Sequence, residues 1–254
     1  NLSNAFAASV ENGLGEIFGS AAKEQLADTR VRSFATPRRL AILIEKLPSH
    51  TPSKSVTVTG PPVQICFDAD GNPSKALEGF ARKCGVAVDA LEQQNGKMAF
   101  VSEEPAQPIN DKLVPLIQQG LDALPIPKRM RWGANKVEFV RPAHWVLMLF
   151  GSEVVDGEIL GHKTDRKTFG HRFHYNRAIE IIDAGDYENV LNESGYVIAD
   201  FDKRRANIAE QLELAAQNLG AKAVVDPALL DEVTALVEWP VALAGRFEER
   251  FLDV

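Results

Sequence analysis

Leu2, Phe6, Val10, Leu14, Ile17 and Phe18 recur at spacings of three and four, which predicts an amphipathic helix that ends before Arg30. The next pattern differs. Leu40 to Ile44 is an unbroken apolar run, read as a buried strand, and Val56 and Val58 alternate with polar residues as in a half-exposed one. Asn72-Pro73-Ser74 opens a second helix, with Leu77, Phe80, Ala81 and Cys84 on its inner face and Gly85 as its stop. Asn95-Gly96 predicts a tight hairpin turn into a strand at Met98 to Val101. Leu113, Ile117 and Leu121 mark a third helix, with Pro115 in its first turns.

From Val137 to Phe173 the chain reads as short strands punctuated by Gly and Pro. A helix is expected near Tyr187 to Leu191 and a strand at Val197 to Ala199. A long helix follows from about Phe201 to Leu219, with Ile208, Leu212, Ala215 and Leu219 as its apolar face. Another, from Pro227 to Val237, stops at Glu238-Trp239-Pro240. Strands grouped between helices, without strict alternation, predict an α+β fold: mixed, mainly antiparallel sheets with packed helices and a helix-rich C-terminal part.

With 254 residues, 45% of them apolar, the chain can bury one large core or two smaller ones. No run approaches the ~20 apolar residues that a membrane helix requires, and no secretory signal pattern is visible. The chain does not open with Met and ends abruptly at Val254, so it reads as a piece of something longer. Cys66 and Cys84 lack both Cys-x-x-Cys spacing and a nearby His pair. They read as small apolar residues in a reducing cytoplasm, which argues against a structural zinc.

Charge divides the sequence unevenly. The whole chain carries 28 basic and 35 acidic residues, yet residues 175 to 254 hold only 7 of the basic and 16 of the acidic ones. Residues 125 to 174 reverse the balance, with 9 basic against 5 acidic and four of the five histidines. An internal boundary is therefore expected near 175 to 183, between a mixed domain over residues 1–175 with basic clusters and an acidic, helix-rich segment over 176–254. A net charge of -7 repels polyanions on average, so any nucleic-acid contact must be local.

The positive charge is concentrated in Pro125-Ile126-Pro127-Lys128-Arg129-Met130-Arg131-Trp132-Gly133 and in Arg166-Lys167-Thr168-Phe169-Gly170-His171-Arg172-Phe173-His174, with Arg141 between them. Cations interleaved with aromatic rings on a backbone stiffened by Pro and Gly suit RNA, or another single-stranded polyanion with flat bases. The candidate RNA-binding residues are Arg38, Arg39, Lys128, Arg129, Arg131, Arg141, Arg166 and Arg172. At residues 128 to 132 two readings stand open: cations on phosphates with Trp132 stacked on a base, or a solvated basic turn with Trp132 packed inward. Thr36-Pro37 presents Arg38 and Arg39, one to pair with an acid and the other to reach RNA. Glu238 reads either as a helix-end acid or as the buried partner of an arginine. His171 and His174 are spaced like helical metal ligands, but on a strand residues three apart point to opposite faces, which weakens that idea. No Walker loop, dinucleotide fingerprint or Gly-x-Ser-x-Gly elbow occurs, so no catalytic residue and no metal ligand is assigned.

Seven segments in series carry a more specific signal: Phe34-Ala35-Thr36-Pro37-Arg38-Arg39-Leu40-Ala41, Gly60-Pro61-Pro62, Gly71-Asn72-Pro73-Ser74-Lys75-Ala76 with Gly79-Phe80-Ala81-Arg82, Leu124 to Gly133, Phe139-Val140-Arg141-Pro142, Gly170-His171-Arg172-Phe173, and Leu236-Val237-Glu238-Trp239-Pro240. In this order they resemble the N-terminal part of the beta subunit of bacterial heterotetrameric glycyl-tRNA synthetase. Members usually begin with a strand and a Glu-Glu-Leu-Pro-like segment that is missing here, and continue far beyond Val254.

The resemblance implies a division of labour. The alpha subunit would activate glycine with ATP and magnesium, whereas the beta subunit would bind tRNA(Gly) within a cytoplasmic alpha2-beta2 assembly. This portion would serve alpha-subunit docking, acceptor-arm contact or both, without a cofactor of its own. Two alternatives stand beside it: a relic editing-type hydrolytic domain built from His144, His171 or His174, and a purely structural protein-interaction module.

Overall fold

Helix α1 (Leu2–Phe18) follows the predicted periodicity, burying Phe6, Val10, Leu14 and Phe18 along one face. The computed structural model describes residues 2–68, 71–134, 136–248 and 250. The chain folds as two units, one formed by residues 1–48 together with 110–254 and the other by residues 49–109. Neither join coincides with the change of charge balance at 175–183.

In the first unit, the short helix α2 (Ala22–Gln25) leads to strands β1 (Arg30–Thr36) and β2 (Arg39–Glu45), which form an antiparallel hairpin. Thr36 pairs with Arg39, so Pro37 and Arg38 form the turn. The expected strand at Leu40 to Ile44 is present, but all five residues are only half-buried. Ala41 and Leu43 pack against the buried cluster Phe34, Leu191, Val197 and Ala199, while Leu40, Ile42 and Ile44, on the alternate face, line an open groove.

The second unit is a three-stranded antiparallel sheet with one helix. Strand β3 (Lys54–Pro62) precedes helix α3 (Lys75–Cys84), and β4 (Glu92–Gln94) and β5 (Lys97–Glu104) complete the order β3-β5-β4. Asn95 and Gly96 both take positive φ in the β4–β5 turn, in keeping with the hairpin signal of this dipeptide. Leu77, Phe80 and Ala81 of α3 pack with Cys66, Leu91 and Met98. Both cysteines are free thiols, Cys66 buried and Cys84 half-buried. The Ser74 hydroxyl caps α3 by accepting from the Leu77 N–H and donating to the Ile65 carbonyl at 2.7 Å. Ser74→Ala is therefore expected to destabilise this unit by about 1 kcal/mol, read as a lower denaturant midpoint at unchanged slope.

Returning to the first unit, helix α4 (Asn110–Asp122) contains Pro115. It lies against α1 where glycines permit close approach: a side chain at Gly13 would meet Leu116 at 2.3 Å, and one at Gly120 would meet Phe6 at 3.1 Å. Short strands follow: β6 (Met130–Arg131) with β7 (Glu138–Phe139), β8 (Val146–Leu147), β9 (Leu149–Phe150) with β10 (Glu153–Val154), β11 (Glu158–Ile159) with β12 (His162–Asp165), and β13 (Lys167–Phe169) with β14 (Ala178–Glu180). The pairing of β12 with β8 is parallel and the others are antiparallel.

Helices α5 (Tyr187–Glu193), α6 (Phe201–Asn218) and α7 (Pro227–Leu236) complete the α+β architecture. Asp200 and Asp226 cap α6 and α7, the latter with Pro227 in its first turn. The expected strand at Val197 to Ala199 does not form. Val197 and Ala199 are buried, but the stretch joins no ladder, and the Ile198 N–H donates to the Glu238 carbonyl. Arg204 of α6, fully buried, ties three regions together by donating to the carbonyls of Ala35, Ile198, Ala199, Asp200 and Thr234. Among the described residues no helix is long and apolar enough to cross a membrane.

Candidate nucleic-acid interface

The hairpin turn separates the two adjacent arginines into one interior and one surface residue. Arg39 opens β2 with a side chain only 3% exposed, and its Nε lies 3.0 Å from Glu238 Oε1. Its remaining nitrogens donate to Thr168 Oγ1 at 3.4 Å and the Gly170 carbonyl at 3.2 Å. Thr36 Oγ1 donates to the same Glu238 oxygen at 2.6 Å. Of the two readings open for Glu238, the buried partner of an arginine is the one found. Expected among the RNA contacts, Arg39 is found with its guanidinium enclosed by an acid, a hydroxyl and a carbonyl, which leaves it little surface to offer a phosphate.

Arg38 sits outside, with its guanidinium 5.9 Å from the Trp145 ring and within 3.5 Å of the Gly170 carbonyl. Arg141 is exposed and donates to the Pro37 carbonyl at 2.7 Å. Arg172 is exposed and lies over the Phe173 ring. Arg38, Arg39, Arg141 and Arg172 all border one cavity of about 1420 Å³, whose apolar walls include Leu40, Ile42, Trp145, Leu147 and Phe150. Four of the eight expected cations thus border one groove, Arg38, Arg141 and Arg172 at its surface and Arg39 within its wall.

The other four do not join them. Arg129 caps the end of α4, donating to the carbonyls of Leu121, Asp122 and Leu124. One of its guanidinium nitrogens thus takes a helix-terminal role, where a cation satisfies carbonyls that lack intrahelical partners. Arg131 pairs with Glu138 across the β6–β7 ladder. Both border a smaller hollow of about 610 Å³ in which Asp122, Glu138 and Glu158 offset the positive charge. Arg166 is half-buried and donates to the Ser152 carbonyl. Lys128 is exposed, and Trp132 is half-buried.

The histidines depart from expectation in a specific way. His171 and His174 occupy a turn closed by the Tyr175 N–H donating to the His171 carbonyl, so their rings meet with centroids 4.6 Å apart. The strand argument that set them on opposite faces fails because residues 171 to 175 are not a strand. Burial pushes the His171 pKa down, and the neighbouring His174, Arg38 and Arg39 reinforce this against the opposing charge of Glu238. Among the described residues no group of three His, Cys, Asp or Glu is arranged to hold a metal. His171 Nδ1 accepts from the backbone N–H groups of Phe173 and His174, and no carboxylate bonds to His144, His171 or His174 among the described residues. Such an acid–base pair is the feature that would favour an editing-type hydrolase.

Against this geometry, comparison with known proteins is decisive. Residues 3–254 match the family model described as the glycyl-tRNA synthetase beta subunit. The chain belongs to that family. It is 50% identical over its whole length to the glycine–tRNA ligase beta subunit of Ectopseudomonas mendocina and 49% identical to that of Azotobacter vinelandii. It is 48% identical over 91% of its length to the one from Hahella chejuensis. The chain spans 36% of the first two relatives and 34% of the third. For this glycyl-tRNA synthetase beta-subunit segment, sequence motifs locate the Arg38 turn and the Gly170 loop. They miss Tyr196, which no periodicity singles out and which the tertiary fold brings against His174 and Trp239.

Proposed function

We propose that residues 1–254 form a tRNA-binding and assembly portion of a glycine–tRNA ligase beta subunit. It supports the attachment of glycine to tRNA(Gly) in a cytoplasmic alpha2-beta2 enzyme whose alpha subunit uses ATP with magnesium. The observation that carries this reading is the convergence of Arg38, Arg141 and Arg172 on one groove, with the exposed Phe173 ring beside Arg172, in a chain of this family. Phosphates are met by surface guanidinium groups, and the apolar walls of the groove suit the assembly half of the role.

The test is the salt dependence of tRNA(Gly) binding by the complete enzyme. Lys128→Ala, Arg141→Ala and Arg172→Ala are each expected to weaken binding and to lower the slope of log affinity against log salt by about one unit, because one fewer counterion is released. Unchanged affinity and slope in all three would overturn the reading. Dissociated subunits with intact tRNA affinity would reassign these cations to assembly alone.

A further inference from the structure

The cations use only half of the pattern around Gly170; the rings are the other half. Four rings from three separate stretches stand in a row. His171 and His174 have centroids 4.6 Å apart, His174 and Tyr196 5.7 Å, and Tyr196 and Trp239 5.4 Å. Phe173 flanks the row, 6.1 Å from His171 and 81% exposed.

The row is held in place before anything binds to it. The His171 N–H donates to the Gly195 carbonyl at 2.7 Å, which ties the turn to the stretch that carries Tyr196. The Gly170 carbonyl accepts from both Arg38 and Arg39. A side chain at Gly170 would meet the Tyr175 carbonyl at 2.4 Å, so the turn closes tightly on glycine. An apolar ring as exposed as Phe173 gains little from folding, and exposed rings gathered beside charge mark an interaction site. The charge beside them is positive: Arg172 lies 5.6 Å from the Phe173 ring and Arg177 5.9 Å from the Tyr175 ring. The nearby Glu238 is buried against Arg39.

We propose that the row His171, His174, Tyr196 and Trp239, flanked by Phe173, is a stacking site for unpaired nucleotides of RNA, a proposal that rests on the tRNA-binding role above. Flat rings accept the face of any base, and the adjoining arginines meet its phosphates. Paired bases bury their faces in the helix, so only an unpaired stretch can use such a surface.

The experiment titrates the complete subunit, in complex with its partner subunit, with two RNA hairpins of the same stem, each closed by a non-nucleotide linker so that no loop base is unpaired. One carries a short unpaired 3′ tail and the other is blunt. Phe173→Ala and His174→Ala remove exposed side chains. Each is expected to weaken binding of the tailed hairpin about ten-fold while leaving the blunt hairpin and the salt slope unchanged, and Phe173→Tyr keeps the tail affinity. Equal losses on both hairpins, or no loss on the tailed one, overturn the stacking site. If Arg141→Ala lowers the salt slope for tRNA(Gly) while Phe173→Ala is silent, the tRNA-binding reading stands and the stacking proposal falls. If the wild-type complex binds tRNA(Gly) but neither hairpin, the stacking proposal falls and the tRNA-binding reading stands. Subunit dissociation at unchanged tail affinity identifies a protein-docking surface and also overturns the proposal.

Discussion

Replacing Glu238 by alanine is expected to destabilise the unit formed by residues 1–48 and 110–254 by about 3–5 kcal/mol. The carboxylate is 4% exposed and receives the Arg39 guanidinium at 3.0 Å and the Thr36 hydroxyl at 2.6 Å. Its removal strands a buried cation in a place that water does not reach, which costs far more than an exposed ion pair contributes. Denaturant unfolding, followed by a probe in this unit, should show the midpoint falling by the corresponding amount. A change below about 1 kcal/mol would mean that the pair is solvated, contrary to its burial. Glu238→Gln separates charge from shape: it keeps an acceptor for Thr36 but leaves Arg39 uncompensated, so most of the loss should remain.

Arg204→Met is expected to cost at least about 3 kcal/mol, because buried carbonyls left without a donor bear a full desolvation penalty. The side chain serves five carbonyls and has no exposed surface. Burial pushes its pKa down, with Glu238 and Asp200 opposing the shift. Lysine should not rescue it. A single ammonium cannot reproduce a planar fork that reaches Ala35 on one side and Thr234 on the other. Equal denaturant midpoints for wild type, Arg204→Met and Arg204→Lys would refute this role.

The parts of the fold legible in the sequence are those fixed by local rules. The α1 periodicity, the Asn95-Gly96 turn, the Ser74 start and the Gly85 end of α3, and Pro227 opening α7 all follow from short-range chemistry. Strand β1 is not legible because Arg30 and Arg32 interrupt its apolar residues, and its pairing is set by the partner strand. Val197 to Ala199 has the apolar, β-branched character of a strand, but no neighbouring edge reaches it. At the candidate site, composition marks cations but not their partners. Arg39, Arg129 and Arg172 are the same residue type, and tertiary contacts alone make them an interior ion pair, a helix cap and a surface group. Arg204 lies in a polar helical stretch that gives no sign of total burial.

The placement of two arginines around one carboxylate makes this region unequally tolerant of change. Arg38 already stands 3.8 Å from Glu238 Oε2, on the opposite oxygen from Arg39. Loss of the Arg39 charge leaves a second cation within reach of the acid, whereas loss of the acid leaves no other carboxylate in this pair of contacts. The basic dipeptide therefore carries redundancy that the single Glu238 does not. Taken one at a time, loss of either arginine should cost the fold less than loss of Glu238.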